Sequence, residues 1–138
     1  MDDPHQLSRF VAAQDEVYAA VVAQLRRARK TSHWMWFIFP QVAGLGSSAA
    51  RRYAIASLDE ARAYLQHPVL GPRRAECAEL LLADTEHTAT QILGGVDAMK
   101  LRSSMTLFHR AAPDETEFAR VLDRFFAGEE DAETLLRL

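Results

Sequence analysis

Cysteine is nearly absent from the sequence, and so are long apolar runs. The single Cys among 138 residues cannot form an intrachain disulfide, which excludes a small disulfide-stabilised secreted scaffold and favours a reducing, cytoplasmic compartment. No apolar run approaches the roughly 20 residues that span a bilayer. The acidic start, Met1-Asp2-Asp3-Pro4, lacks the apolar core of a signal peptide. We therefore expect a cytoplasmic protein with no membrane partner.

A large excess of either charge is also missing, since 16 basic and 19 acidic side chains leave a net charge of −3. This balance argues against nucleic-acid binding, because that affinity depends on neutralising phosphates. Residues 1–75 hold ten basic and six acidic side chains, whereas residues 76–138 hold six and thirteen. The asymmetry fits two halves that attract each other across a solvated surface, or an anion site in the first half.

What the sequence does have is helical periodicity almost throughout, with a hydrophobic content of 49% that excludes a disordered chain. The apolar stripe over residues 7–25 fits one long helix or two helices that break near Gln14. Residues 34–39 are apolar on both sides, so they fit a short buried strand or a helical turn. A loop at 44–47 is expected to lead into a helix through about Ile55. Further helices are expected at these places: up to His67, from about Val69, before Gly94, from Val96 to about Phe108, before Gly128, and from Asp131 to Leu138.

This pattern predicts an all-α fold. We expect one compact domain over residues 1–138, built as a multi-helical bundle with short loops. Sparse glycine and proline and the absence of any long polar linker agree with that prediction.

The densest functional signal is the segment 30–41, which holds both tryptophans of the chain. A cation, two hydroxyls and an imidazole directly precede an aromatic run, and such an edge beside an aromatic wall suits a planar ligand with an anionic group. The same pattern also fits a core-forming segment with a polar end. We predict His33 as an acid or base, and the segment supplies these candidate ligand-binding residues: Lys30, Ser32, Trp34, Trp36 and Gln41.

The loop after this segment contains glycine and serine and precedes a predicted helix. Free backbone N–H groups at such a start can hold a phosphate or carboxylate, which makes Gly44, Gly46 and Ser47 candidate ligand-binding residues. The loop lacks the Gly-Lys-Ser/Thr ending of a Walker motif, and no strand–helix–strand unit surrounds it as in a dinucleotide-binding fold. The alternative interpretation is a glycine-containing turn capped by Ser47.

Asp97, Lys100 and Ser104 fall on one face of a predicted helix, at positions i, i+3 and i+7. Asp97 is a candidate general base, and Lys100 and Ser104 are candidate ligand contacts. A surface ion pair between Asp97 and Lys100 is the alternative. Arg73 is a further candidate, because the helix dipole disfavours a cation in the first turns of a helix and a specific partner would explain it.

Metal-ligand spacing is missing from the sequence. His33, His67 and His109 are far apart, and neither a Cys-x-x-Cys nor a His-x-x-x-His pattern occurs. We therefore expect neither a metal nor a cofactor.

Short segments over nearly the whole chain carry a family resemblance. They are Asp3-Pro4, Arg9-Phe10-Val11, Ala13-Gln14, residues 30–41 with Gly44-Leu45-Gly46, Tyr53-Ala54-Ile55, Glu60-Ala61, Tyr64-Leu65, residues 67–71, Arg73, Asp97, Lys100 and residues 103–108. These segments resemble domain-of-unknown-function family 1810, a bacterial family often labelled calpastatin. The resemblance implies an all-α fold, like that of a mycobacterial conserved hypothetical protein, and it implies no established activity. Arg74 departs from the family, which tends to have Leu there.

The calpastatin label does not fit the composition. Calpain inhibitors of that name resemble disordered chains rich in Lys, Pro and Glu, whereas this chain has two lysines, five prolines and a globular hydrophobic content. We expect instead a protein that binds, and as an enzyme would turn over, a small anionic ligand in a pocket lined by residues 30–41. The ligand class is nucleotide-like or phosphorylated. The alternative is a non-catalytic protein-interaction or adaptor module, and the oligomeric state is left open.

Overall fold

Helices account for nearly all the regular structure. The computed structural model describes residues 3–45 and 51–138, and in these ranges it confirms the all-α prediction. The helices of the described ranges are α1 (Ser8–Asp15), α2 (Tyr18–Arg26), α3 (Met35–Ile38), α4 (Leu58–Gln66), α5 (Leu70–Ala83), α6 (Ala89–Leu93), α7 (Gly95–Ala111), α8 (Glu117–Phe126) and α9 (Ala132–Leu136).

The 17-residue helix α7 lies at the centre of the bundle. It packs against α4, α6, α8 and α9, and every residue from 103 to 108 is buried. A helix with neighbours on several sides has no face turned to solvent. This stretch, Ser-Ser-Met-Thr-Leu-Phe, accordingly has apolar and small polar side chains and no charged ones. A second group forms around α5, which packs against α2, α4 and α8. Near the N-terminus of α7, Val96 and Met99 are exposed.

The structure decides both alternatives that the sequence left open. The stripe over residues 7–25 forms two helices, α1 and α2, with residues 16 and 17 between them. Gln14 is buried at this junction, where its side-chain amide donates to the Phe37 carbonyl over 2.7 Å. Residues 35–38 form the short helix α3 rather than a strand. Its neighbour Trp34 is fully buried, while Trp36 is half-buried.

The prediction of a helix through about Ile55 is wrong at its C-terminal end. Ile55 instead forms an isolated parallel bridge with Val42. Its backbone N–H donates to the Gln41 carbonyl over 2.9 Å, and its carbonyl accepts from the Ala43 N–H over 2.8 Å. Pairing with the extended segment 41–43 satisfies this backbone while the Ile55 side chain is buried completely. The bridge brings residues 53–54 beside residues 41–44.

Within the described ranges, none of the helices combines the length and apolar character that crossing a bilayer requires.

Candidate functional site

Both lysines of the chain meet at one carboxylate. Lys30 Nζ lies 2.8 Å from Asp97 Oδ2, and Lys100 Nζ lies 3.6 Å from Asp97 Oδ1. Lys30 follows α2, whereas Asp97 and Lys100 lie in the first turns of α7, so the contact joins parts of the chain 67 positions apart. Asp97 is well placed there, because the N-terminus of a helix stabilises a carboxylate.

Each of these lysines also lies over a tryptophan. Lys30 Nζ is 5.1 Å from the centroid of the Trp34 ring, and Lys100 Nζ is 5.2 Å from that of Trp36. These are the only tryptophans in the sequence. We call Lys30, Trp34, Trp36, Asp97 and Lys100 the lysine–tryptophan cluster. Cation–π attraction and the shared carboxylate hold both ammonium groups in place.

The two lysines differ in access. The Lys30 side chain is 8% exposed and lies over the fully buried Trp34 ring. The Lys100 side chain is 20% exposed and lies over the half-buried Trp36 ring. Lys100 is also the more loosely held of the two at Asp97. Lys100 is therefore the lysine that a ligand could contact, while the more buried Lys30 contributes positive charge from the interior.

Gln24, which the sequence reasoning missed, fixes the loop that carries Lys30. Its side-chain carbonyl accepts from the Trp34 indole N–H and the Thr31 backbone N–H, both over 2.9 Å. Its amide donates to the Ser32 hydroxyl over 2.7 Å. The signal was its spacing from Val21, which places Gln24 on the buried face of α2.

Two adjoining hollows lie next to the cluster. The first, of about 130 Å³, is lined by Trp36, Gln41, Val42, Gly44, Arg51, Tyr53 and Ala54. The second, of about 280 Å³, is lined by Gln41, Leu45, Val96, Met99, Lys100, Ser103, Asp131 and Glu133. Gln41 lines both hollows, and the Trp36–Lys100 contact also connects them.

The Trp36 indole N–H is the least satisfied donor at this site. It is buried and has no hydrogen-bond partner among the described residues. Buried N–H groups in proteins nearly always have an acceptor. Trp36 therefore keeps a buried donor without a partner, and other atoms of the residue line the first hollow.

Several predicted site residues lie elsewhere or play other parts. His33 is exposed on the loop before α3, and the Ser32 hydroxyl accepts from Gln24. Ser104 is fully buried in the core, and the neighbouring Ser103 lines the second hollow instead. Gly44 lines the first hollow. Gly46 and Ser47 lie outside the described residues.

Arg73 has the specific partner that its helix position called for, but not in this site. Its guanidinium lies 2.7 Å from Asp15 Oδ1 and stacks over the Tyr18 ring at 4.8 Å. These contacts tie α5 to the start of the chain. The hollows also include residues that the sequence did not predict as site residues: Arg51, Tyr53, Val96, Met99 and Ser103.

No group of three or more His, Cys, Asp or Glu side chains in residues 3–45 and 51–138 is arranged to hold a metal ion.

The fold and cluster together define a small all-helical protein with a paired-lysine site, and comparison with known proteins gives its family. The chain belongs to the family described as "Protein of unknown function (DUF1810)", which matches residues 4–138. This confirms the resemblance seen in the sequence. The chain is similar to a conserved hypothetical protein from Mycobacterium tuberculosis, Rv1873, whose crystal structure superposes with a TM-score of 0.97. The two are 50% identical over 99% of this chain and 98% of that one. None of the curated proteins compared with the chain matches it.

Proposed function

We propose that the protein binds a small anionic metabolite, carrying a phosphate or carboxylate, in the two hollows beside the lysine–tryptophan cluster. The observation that carries this proposal is the meeting of both lysines at Asp97. One ammonium group is enough to neutralise one carboxylate. The second leaves an excess positive charge at the more accessible end of the cluster, where an anion would be stabilised.

Hydrogen-bond donors around the first hollow support the same ligand class. Three residues whose side chains carry donors, Trp36, Gln41 and Arg51, line it. A volume of about 130 Å³ suits one compact group such as a phosphate rather than a whole metabolite. The second hollow, of about 280 Å³, gives room for the rest of the ligand, and the two hollows together reach the usual size range of ligand sites.

The geometry favours binding over proton-transfer catalysis. Both oxygens of Asp97 face ammonium groups, so its carboxylate positions the lysines rather than accepting a proton. His33, the other predicted catalytic residue, is exposed and borders neither hollow. We therefore propose a binding protein whose ligand contacts include Lys100, Trp36 and Gln41.

Thermal unfolding and tryptophan fluorescence test this proposal directly. The probes are inorganic phosphate, AMP, ADP-ribose and sugar phosphates. A ligand at 100 times its Kd adds about 2.7 kcal/mol to the free energy of unfolding, and fluorescence is site-specific because both tryptophans lie in the cluster.

Lys100→Ala should abolish the response, whereas Arg120→Ala should retain it. Arg120 is a matched control because it is an exposed cation paired with an exposed carboxylate, Glu79, away from the site. No response to any anion in the wild-type protein would overturn the proposal.

A second candidate function is a protein-interaction module, which the exposed apolar residues favour. Val96 is 70% exposed, Met99 is 71% exposed and Leu136 is 76% exposed. Exposed apolar patches often mark interaction sites. Light scattering after size exclusion would support this alternative if the protein formed a dimer that Met99→Ser dissociates, and a strict monomer would count against self-association.

We further propose a cytoplasmic location and no role in nucleic-acid binding. The lone cysteine, Cys77, is buried, and burial raises the pKa of its thiol to about 11. Such a thiol is mostly protonated and unreactive at neutral pH, which suits a structural residue in a reducing compartment. Exclusion of a tagged copy from the cytoplasmic fraction of cells would overturn the location.

A further inference from the structure

We infer that the ligand of this site is an amphiphilic anion, with a single phosphate or carboxylate head joined to an aliphatic chain. This inference rests on the proposed anion site and names its substrate class. It comes from the second hollow, whose lining differs in kind from that of the first.

An apolar strip runs along the second hollow. Leu45, Val96 and Met99 line it, and Val96 and Met99 lie three residues apart on the same face of α7. Both are more than two-thirds exposed, although water-facing helix positions usually carry polar side chains. The strip is aliphatic, and it shares the second hollow with Lys100 and Gln41. An aliphatic chain whose anionic head sits at Lys100 would cover it.

Aromatic surface for a nucleobase is scarce by comparison. Trp34 is fully buried, and Lys100 covers the Trp36 ring from one side. The Tyr53 ring packs on Phe10 and Phe37, with centroid distances of 5.8 and 5.4 Å. Bases bind most readily by stacking on an open aromatic face. An aliphatic moiety needs no such face.

The charges along the second hollow favour a single anionic group. Asp131 and Glu133 line its α9 side. The Asp131 carboxylate is held in place by the Ser103 hydroxyl at 3.2 Å and by the Thr134 N–H at 2.9 Å. A di- or triphosphate extending from Lys100 along the hollow would meet these carboxylates, and like charges repel. One head group at the Trp36–Lys100 end avoids them.

A homologous series of ligands tests the inference. The probes are inorganic phosphate and butyl, hexyl and octyl phosphate, each kept below its aggregation concentration, with AMP for comparison. Burial of a methylene contributes about 0.8 kcal/mol, which corresponds to a roughly fourfold lower Kd per CH₂ when burial is complete. In this open hollow we expect about a twofold gain per CH₂, measured by titration of tryptophan fluorescence.

Variants test the contribution of the apolar strip to binding independently of the anion site. Met99→Ser and Val96→Ser should flatten the dependence on chain length and leave the Kd for inorganic phosphate unchanged. Leu136→Ser is the matched control, because Leu136 is equally exposed but lines neither hollow. All three residues lie on the surface, so the variants should fold with wild-type thermal stability.

The outcomes distinguish failure of the amphiphile inference from failure of the proposed anion site on which it rests. If phosphate and octyl phosphate bind equally well, or AMP binds more tightly than octyl phosphate, the amphiphile is overturned and the anion site stands. If neither these phosphates nor the matching carboxylates, acetate and octanoate, bind, both fail. Vesicles containing phosphatidic acid identify the source: Met99-dependent binding to vesicles supports a membrane lipid, and Met99-dependent binding of soluble octyl phosphate alone supports a free amphiphile.

Discussion

Two clusters in this molecule combine a cation, a carboxylate and aromatic rings, and their surroundings differ. In the core, Arg74 of α5 is completely buried, with Nη2 3.0 Å from Glu117 Oε1 and the guanidinium 4.3 Å from the Phe118 centroid. There, one cation meets one carboxylate. In the lysine–tryptophan cluster, two cations meet one carboxylate beside open hollows. The difference between the two clusters lies in excess charge and access, and these two features support the proposed binding site.

The core pair is also less favourable than its geometry suggests. Nε and Nη1 of Arg74 are buried without a hydrogen-bond partner among the described residues. Burial lowers the pKa of the Arg74 guanidinium, and the Glu117 carboxylate opposes that shift. Buried ion pairs contribute little net stability, although removing one partner is costly. The largest predicted effect follows from this asymmetry.

Glu117→Ala should lower the free energy of unfolding by about 3–5 kcal/mol, because it leaves the Arg74 charge buried without a counter-ion. Arg74→Leu should change it by less than about 1.5 kcal/mol. Leu removes the charge and both unpartnered donors, keeps apolar contact with Phe108 and Phe118, and leaves a carboxylate that can hydrate. Urea unfolding measures both variants. Equal losses of unfolding free energy for the two variants would contradict the expectation that an unpaired buried charge costs more than removal of that charge.

Gln24→Ala should have the next largest effect and should act on the other cluster. It leaves the Trp34 indole N–H and the Thr31 backbone N–H without their acceptor, which costs about 1–3 kcal/mol for a buried donor. Tryptophan emission should also shift, because Trp34 loses its acceptor and the loop that holds Lys30 over its ring is released. The control Gln66→Ala removes an exposed glutamine at the end of α4 and should change neither measurement. A silent Gln24→Ala would show that the loop is held by its other contacts.

The helices were predictable because each carries its own local signal. Ser57 begins α4 by accepting from the Glu60 backbone N–H over 3.1 Å, as a serine three residues before a glutamate predicts. Gly94 separates α6 from α7 with φ +89°, a conformation that favours glycine. Ile55 lacked such a signal. Its conformation depends on pairing with Val42, thirteen residues earlier, and helical periodicity does not report pairing.

The candidate site was only half predictable, for a similar reason. The sequence singled out Lys30, Trp36 and Lys100 by residue type, because lysine and tryptophan are rare in this chain. No local sequence pattern predicts that Lys30 lies beside Asp97. That contact depends on the packing of α7 on α6, and the Lys30 backbone N–H donates to the Ile92 carbonyl of α6 over 2.8 Å. Met99 was overlooked because an exposed apolar residue looks like an ordinary member of a helix stripe.

A smaller effect should separate the two lysines. Lys30→Met should lower the free energy of unfolding by about 1–2 kcal/mol, because it removes the short, mostly buried contact with Asp97. Lys100→Met should cost less than about 0.5 kcal/mol, since its contact is longer and more exposed. Chemical unfolding measures both. If Lys100→Met were the more damaging, Lys100 would be a structural residue rather than the accessible member of the cluster.

A further small effect concerns a charge pair that lies on the surface, unlike both clusters. Arg110 Nε and Nη2 each lie 2.8 Å from one oxygen of Glu130, and these hydrogen bonds hold the pKa of Glu130 below its ordinary value of 4.5. A carboxyl whose pKa is lowered by folding stabilises the native state above its unfolded pKa, and this stabilisation is lost as pH falls through the lower folded value. We expect a contribution of about 0.5 kcal/mol at neutral pH, as for other exposed pairs. Glu130→Gln should therefore cost about that much at pH 7 and little well below pH 4.5, when unfolding is measured across pH. A cost that grew toward low pH would contradict this assignment, because protonation already removes the charge that the variant lacks.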